Sequence, residues 1–329
     1  MTTVLPFSRP PKPPSPSEHP EASPVMVGVD AHADTFTAVA MQDGRVLWEQ
    51  TFSTRPEDFE RCLARTRPMG RVLYGVENVK AHALSLVLFL LDHGQVVYDL
   101  PPAGVAQLRG RGGGGKTDAK DARHVAQLLA ATVAQRTPVQ LPAETVRLQT
   151  LERARATLVS ERVATEARHV ALLANPHAAP TALRAYRQLI AVLRDELKGL
   201  EREIAGAVKV YPQVLEIVGV ASVMASVLVG EVLSMTRFPR EAQFASYCGI
   251  APRDHSSGRS QRVKVNPGGN RRLNAAMETI TRVRLTHDPP TRAYYDKKRA
   301  QGMASRTAFR ATKRQVCKLV YRTLCIALT

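Results

Sequence analysis

The sequence predicts an α/β domain, then a coiled-coil hairpin of two helices, then a mainly α-helical domain. Three observations predict this order: short apolar runs separated by turns up to residue 100, an apolar repeat between residues 183 and 204, and a helical pattern that resumes at residue 208. Alternating strands and helices are typical of an α/β layer, and a sustained heptad repeat is typical of packed helices. The predicted divisions are residues 1–24, 25–142, 143–207 and 208–329.

The first segment and the overall charge set the broad class of the protein. Residues 1–24 are rich in Pro and Ser and almost free of apolar clusters, so they are predicted to be a disordered tail. The 329 residues carry a net charge of +17. Such a field attracts polyanions, which makes nucleic acid the leading partner, and a basic protein that merely stays soluble is the alternative.

Cysteine spacing and hydropathy indicate where the protein works. The four cysteines show no Cys-x-x-Cys spacing, so neither a zinc site nor a disulfide framework is predicted. No apolar run approaches the roughly 20 residues that cross a bilayer, and the first residues do not resemble a secretion signal. We therefore expect a protein of the reducing cytoplasm that is neither exported nor inserted in a membrane.

The α/β domain is predicted from strand-length apolar runs. Residues 25–29, 35–41 and 45–52 form three such runs, with a turn at Gln42-Asp43-Gly44, and they predict a three-stranded meander. A further strand is predicted at 71–76, a helix at 81–91 and a strand at 95–100.

The hairpin is predicted from one long apolar seam. Its members are spaced alternately three and four residues apart over three heptads. They are Leu183, Tyr186, Ile190, Leu193, Leu197, Leu200 and Ile204. The preceding helix, about 144–174, carries a poorer seam, and Pro176 and Pro180 separate the two helices. Either a plain two-helix core element or a dimerisation arm fits this pattern.

The last domain is predicted to be helical and to contact phosphate. Its helical pattern is interrupted by a polar stretch at 252–269, and a dense series of Lys and Arg begins at Arg271 and Arg272. Phosphate contact is the natural use of such a series.

Four carboxylates form the predicted catalytic constellation. Asp30 and Glu77 each close a predicted strand, and Asp118 and Asp121 stand three residues apart at the start of a helix. If the two strands are parallel neighbours, all four side chains surround one point. Such a cluster needs cations, and two Mg²⁺ ions about 3.5–4 Å apart would clamp the attacking and leaving oxygens of a phosphodiester. The alternative for Asp118 and Asp121 is a favourable charge at a helix N-terminus.

A glycine run at residues 110–117 satisfies the phosphate-loop pattern G-x-x-x-x-G-K-[ST]. That loop must follow a strand directly, whereas here the nearest predicted strand ends near residue 100. We therefore interpret the glycines as a flexible basic loop that lets Lys116 approach nucleic acid, and ATP binding is the lesser alternative.

Several motifs resemble known DNA-processing proteins. The acidic arrangement resembles the RuvC-like nucleases of RNase H fold. More closely, Val27-Gly28-Val29-Asp30, Gly75-Val76-Glu77 and the segment 116–122 resemble the "DEDD" transposases of the insertion-sequence one-ten family. The segment 244–259 resembles the C-terminal transposase domain of that family, where a serine immediately before glycine is the nucleophile. Ser257 holds this position, with Ser256 as its rival.

The resemblance implies a transposase that cuts and rejoins the DNA of its own mobile element, in the bacterial cytoplasm with the nucleoid. It implies an RuvC-like fold for residues 25–142, a divalent metal, a structured guide RNA encoded by the element, and a covalent link between Ser257 and DNA. It also implies that the two halves of one active site come from different protomers of a dimer or tetramer. Arg253, Arg259 and Arg262 could hold phosphate oxygens beside the serine.

Three other functions stay open at this point. A DNA invertase would use the same chemistry. A Holliday-junction nuclease of RuvC type would use water in place of Ser257. A nucleic-acid-binding protein without catalysis would need none of the four carboxylates.

Overall fold

The structure, a computed structural model, describes residues 23–77, 79, 82–109, 117–251, 253–257, 260–264 and 269–328, with only the backbone for 253–257 and 260–264. The chain divides into two compact units between Pro138 and Val139. The predicted disordered tail lies almost wholly outside the described residues. No helix within the described ranges has both the length and the apolar character that a bilayer crossing requires.

A mixed five-stranded sheet forms the centre of the N-terminal unit. Its strand order is β3-β2-β1-β4-β5, in which β2 runs antiparallel to β1 and β3 while β4 and β5 run parallel to β1. The strands are β1 (Val25–Ala31), β2 (Thr35–Gln42), β3 (Arg45–Ser53), β4 (Val72–Glu77) and β5 (Val96–Leu100). The predicted meander and the predicted α/β layer are confirmed.

Helices cover both faces of this sheet. They are α1 (Pro56–Thr66), α2 (Leu84–Asp92), α3 (Pro102–Arg109) and α4 (Asp118–Thr132). On one face, Phe59 of α1 contacts the rings of Phe36 and Phe89. On the other, α3 and α4 bury Met26, Leu73 and Leu100. Helix α1 was not predicted from the sequence.

The face under α4 is shaped by a glycine. A Cβ built on Gly28 of β1 would lie 2.0 Å from the carbonyl oxygen of Ala122 and 2.4 Å from the nitrogen of Ala126. Real side chains do not approach backbone atoms so closely, so the helix can rest on this strand only because position 28 has no side chain. The contact fixes the height and the position of α4 above β1.

The C-terminal unit is mainly helical, as predicted. Its helices are α5 (Ala143–Leu173), α6 (Pro180–Ala207), α7 (Pro212–Leu215), α8 (Ser222–Val232), α9 (Glu241–Tyr247), α10 (Arg271–His287), α11 (Pro289–Ala300) and α12 (Ser305–Ala327). Its apolar core includes Leu228, Phe244, Leu273, Met277 and Val320, all fully or almost fully buried.

Helices α5 and α6 form an antiparallel pair. Arg147 pairs with Glu203 at 2.7 Å, and Arg194 pairs with Glu166 at 2.9 Å, so residues late in one helix face residues early in the other. In α6 the predicted seam is the protected side: Ile190, Leu197 and Ile204 are buried, and the other four seam residues are partly buried. The prediction that these seven residues form one protected side of a helix is therefore confirmed, while the coiled-coil character of the pair stays a prediction.

The polar stretch at 252–269 holds a β-hairpin that the sequence analysis did not predict. Its strands are β6 (Arg253–Ser257) and β7 (Ser260–Lys264), which pair antiparallel. Strands of this composition offer no apolar alternation, so the pairing rests on backbone hydrogen bonds and leaves no hydropathy signal.

We expect Gly28→Ala to destabilise the N-terminal unit by about 1–3 kcal/mol or more, because the added methyl group forces α4 away from β1. Hydrogen exchange followed peptide by peptide measures this as faster exchange in β1 and α4. Gly199→Ala is the control: a Cβ at Gly199 of α6 meets nothing within 4 Å, so this change should leave exchange unchanged or slow it. Unaltered exchange in β1 and α4 of Gly28→Ala would contradict the close-packing argument.

Candidate functional site

Two of the predicted carboxylates lie side by side at the carboxyl edge of the sheet. The parallel register pairs Val29 of β1 with Val76 of β4, and Asp30 and Glu77 are the next residues of these strands. Strand alternation places both on the face that Gly28 and Gly75 turn toward α4. Asp30 and Glu77 are partly buried there. The predicted parallel neighbourhood of the two strands is confirmed.

The other two carboxylates stand at the start of α4. Thr117 caps this helix, since its Oγ1 accepts a hydrogen bond from the nitrogen of Lys120 at 3.3 Å. Asp118 precedes the Gly28 contact at Ala122 by one helical turn, about 5.4 Å. Asp30 follows Gly28 by two strand residues, about 6.6 Å. The contact at Gly28 therefore brings the helix start and the strand end to the same level.

A histidine that the sequence analysis missed completes the closest part of the site. His32 Nε2 lies 3.2 Å from Asp30 Oδ2 and 3.3 Å from Asp118 Oδ1. One ligand atom from each of these three residues lies within 4.8 Å of the other two. A spacing signal existed, because residues two apart in an extended segment return to the same side, and His32 follows Asp30 by two.

Glu77 and Asp121 lie next to this group, but they are not among the residues whose ligand atoms are all within 4.8 Å of one another. Glu77 lies beside Asp30 on the neighbouring strand, and Asp121 is buried, with 3% of its surface exposed, one residue before Ala122. The four predicted carboxylates thus share one sheet edge and one helix start, with Asp30 and Asp118 as the closest pair to His32.

The donor set fits a divalent cation. Two carboxylates and an imidazole offer oxygen and nitrogen ligands, and acidic side chains held together at a low-dielectric edge repel one another unless a positive charge joins them. Asp30 keeps only 14% of its side chain exposed, whereas Asp118 is 49% exposed. The arrangement can therefore hold a metal ion with one open side toward a substrate.

The predicted nucleophile belongs to the other unit. Ser257 is the last residue of β6 and pairs in register with Ser260, and Ser256 pairs with Gln261. Arg253 and Arg262 belong to the same hairpin. Lys116 and Arg259 lie outside the described residues. Helix α3 separates β5 from the glycine run, in agreement with the argument against a phosphate loop.

The chain enters and leaves this hairpin segment through one narrow point. A Cβ on Gly269 would lie 2.4 Å from Cα of Gly249, so the two backbones touch. The nitrogen of Asn270 donates to the carbonyl oxygen of Tyr247 at 2.6 Å. Nδ2 of Asn274 donates to the carbonyl oxygens of Cys248 at 2.9 Å and Gly249 at 3.1 Å. Two asparagines thus hold the base of the segment closed.

Arg272 is engaged inside the C-terminal unit. Its guanidinium pairs with Glu152 and lies 3.3 Å from Glu231 Oε1, and these carboxylates are 6% and 4% exposed. Nδ2 of Asn270 donates to Glu231 Oε2 at 2.7 Å. Burial lowers the pKa of Arg272 below its ordinary value. Arg271 is exposed, so it can meet phosphate without breaking an internal pair.

Comparisons with known proteins cover most of the chain. A family model of IS110-type DEDD sequences, described as Transposase, matches residues 27–177. A second model, described as Transposase IS116/IS110/IS902 family, matches residues 211–296. The insertion element IS110 uncharacterized 43.6 kDa protein of Streptomyces coelicolor is 32% identical over 139 residues, which are 41% of this chain and 34% of that protein. The match therefore spans about a third of that relative's length.

Two solved structures are similar in part. They are Thermus thermophilus RuvC in complex with a Holliday junction substrate and T. thermophilus RuvC alone. Each is 18% identical at a TM-score of 0.28 and covers 35% of this chain, with 98% and 99% of its own length matched. The five-stranded mixed sheet with helices on both faces makes the N-terminal unit an α/β fold.

We expect Arg272→Ala to destabilise the C-terminal unit by up to about 3 kcal/mol, because it leaves two buried carboxylates short of a cation. Thermal unfolding measures this loss. Arg271→Ala is the matched control and should change stability by less than about 0.5 kcal/mol, because its side chain is exposed. A stable Arg272→Ala protein with weakened nucleic-acid binding would instead support the predicted phosphate contact.

Proposed function

Since the chain belongs to the IS110 family of transposases, the family predicted from its sequence, we propose that it cuts and rejoins DNA at the ends of a mobile insertion sequence. One observation carries this proposal. Asp30, at the end of β1, and Asp118, at the start of α4, have carboxylate oxygens within 4.8 Å of each other. Carboxylates from separate elements at one sheet edge are the arrangement that metal-dependent phosphodiester chemistry needs.

In this proposal Asp30, Glu77, Asp118 and Asp121 hold divalent cations, with two Mg²⁺ ions as the expected occupants. Bound metal would supply positive charge to the phosphate oxygens as negative charge develops on them. The carboxylates themselves fix where the phosphate sits, because their elements are locked together at Gly28. The burial of Asp121 and the partial burial of Asp30 and Glu77 strengthen their electrostatic interactions, while Asp118 stays exposed on the open side.

Ser257 is the proposed nucleophile. Its Oγ would attack the phosphorus, so that a bond from Oγ to phosphorus forms and the bond from phosphorus to a deoxyribose oxygen breaks. The serine gives up its hydroxyl proton, and the departing deoxyribose oxygen takes up a proton. A second deoxyribose hydroxyl then reverses these steps and joins the new strand. The energy of the phosphodiester is kept in the covalent adduct, so rejoining needs no nucleotide cofactor.

Basic side chains would hold the nucleic acids. We propose Lys116, Arg253, Arg259, Arg262 and Arg271 as phosphate contacts, with Arg272 as a fixed part of the scaffold. The net charge of +17 supports binding of two polyanions at once. The proposed second polyanion is a structured guide RNA encoded by the element, and this part of the proposal rests on the family resemblance.

A homo-oligomer would bring the halves of the site together. We propose that the acidic site of one protomer works with Ser257 of another, in a dimer or tetramer. The α5–α6 hairpin supports an association surface, because Val163, Val170, Leu189 and Val192 expose between 47% and 65% of their surface on it. Exposed apolar patches are typical of an interface, and these four residues belong to the two helices of one hairpin.

We expect Ser257→Ala to abolish strand joining and the covalent protein–DNA adduct, because no other atom takes the place of the Oγ nucleophile. The assay incubates the protein, Mg²⁺, DNA carrying both element ends and the RNA that copurifies, and mass spectrometry maps the DNA-linked peptide. Ser256→Ala is the matched control and should keep at least a third of the activity. Continued cutting by Ser257→Ala without any adduct would favour a hydrolytic nuclease of the junction-resolving class.

Mixing two inactive variants tests the sharing of sites between protomers. Asp30→Asn and Ser257→Ala should each be inactive alone. If the halves of a site come from different copies, a mixed oligomer contains intact sites, and an equimolar mixture should recover roughly a quarter of wild-type adduct formation by random pairing. A double variant, Asp30→Asn with Ser257→Ala, is the control. Mixed with either single variant it should recover no adduct formation, because every protomer then lacks the same half of the site. Absence of recovery in verified mixed oligomers would place both halves in one protomer.

A further inference from the structure

We infer that His32 is a metal ligand, and that its nitrogen shifts the preference of the Asp30–His32–Asp118 group from Mg²⁺ toward borderline transition-metal ions. This inference rests on the proposed function of the acidic site as a metal centre. It concerns a residue outside the four predicted carboxylates, and it adds a statement about which ion the site selects.

The spacing of the three donors matches the coordination shell of one cation. Ligands bonded at about 2.1 Å lie about 3.0 Å apart at adjacent octahedral positions and about 3.4 Å apart at tetrahedral positions. His32 Nε2 is 3.2 Å from Asp30 Oδ2 and 3.3 Å from Asp118 Oδ1, between these two values. One bound ion could therefore contact all three atoms without a change of fold.

Hydrogen bonding does not account for the position of this nitrogen. Nε2 of His32 is shielded from solvent and makes no hydrogen bond within the part of the chain that the structure describes, although 45% of the side chain is exposed. The backbone nitrogen of His32 donates to the carbonyl oxygen of Thr35 at 2.8 Å, which ties the residue to the start of β2. The ring is thus held with one nitrogen facing two carboxylate oxygens.

The chemistry of the ligand decides which ion it favours. Carboxylate and water oxygens suit Mg²⁺, whereas imidazole suits Fe²⁺, Co²⁺ and Zn²⁺. A site of carboxylates alone has no reason to prefer the latter group beyond their general order of affinity. A protonated His32 that only balances the charge of Asp30 and Asp118 would compete with every cation equally. These two roles therefore predict different responses to a change of metal.

Metal titration of the purified full chain separates the two roles. Co²⁺ is added and followed by its visible absorption, which responds to the ion's coordination shell, and Mg²⁺ affinity is measured by calorimetry. We expect His32→Ala to weaken Co²⁺ binding by about 10-fold to 100-fold or more, because the loss of a group that only supports a ligand already costs this much, and to change Mg²⁺ affinity by less than about 3-fold. His32→Asp, which replaces nitrogen by oxygen, should restore metal binding with Mg²⁺ gaining relative to Co²⁺.

His93 supplies the matched control. It is exposed just before β5 begins, at the opposite edge of the sheet from Asp30, so His93→Ala should leave both affinities unchanged. Equal effects of His32→Ala on Co²⁺ and Mg²⁺, or no effect on either, would overturn the inference.

Asp30→Asn distinguishes this failure from a failure of the proposed function. Loss of both metals in Asp30→Asn, together with an unchanged His32→Ala protein, would remove only the histidine from the site. Unchanged binding of both metals in Asp30→Asn would remove the acidic metal centre itself, and the proposed function with it.

Discussion

The backbone contact between α4 and β1 at Gly28 is the constraint on which the N-terminal site depends. Because no side chain stands between Gly28 and Ala122, the helix lies directly on the sheet. From this contact, Asp118 lies one helical turn back along α4 and Asp30 lies two residues on along β1. Both steps lead toward the same edge of the sheet. The geometry of the site is therefore a property of the packing, and the acidic residues need no long or flexible connection to meet.

Part of this arrangement could be predicted from the sequence, because Asp30 and Glu77 end apolar runs and Asp118 and Asp121 stand one turn apart at a helix start. Asp30 and Glu77 are the polar residues that close buried strands, and a shared sheet edge followed on the condition that the two strands are parallel neighbours, which they are. His32 was missed because it lies just beyond β1, in a segment where apolar patterning stops. Its spacing of two residues from Asp30 placed it on the same side, but the approach of its ring nitrogen to Asp118 depends on the packing of α4.

The C-terminal unit was harder to predict for two physical reasons. The β6–β7 hairpin has no apolar alternation, so a rule based on hydropathy finds only a polar loop. The sequence predicts Arg272 as a phosphate contact from its charge, and it does not show that the guanidinium pairs with carboxylates inside the unit. Its partners Glu152 and Glu231 come from α5 and α8, far away along the chain. Charge density therefore does not show which arginines are already paired inside the protein.

The closed base of the hairpin segment determines how the segment tolerates a change of length. Because Gly249 and Gly269 touch and the asparagines at 270 and 274 bind the backbone at 247–249, the two ends of the segment are held together on the helical core. The entropic cost of lengthening a loop whose ends are already joined rises only slowly with its length. Residues inserted within this segment should therefore cost the helical core beneath it little stability.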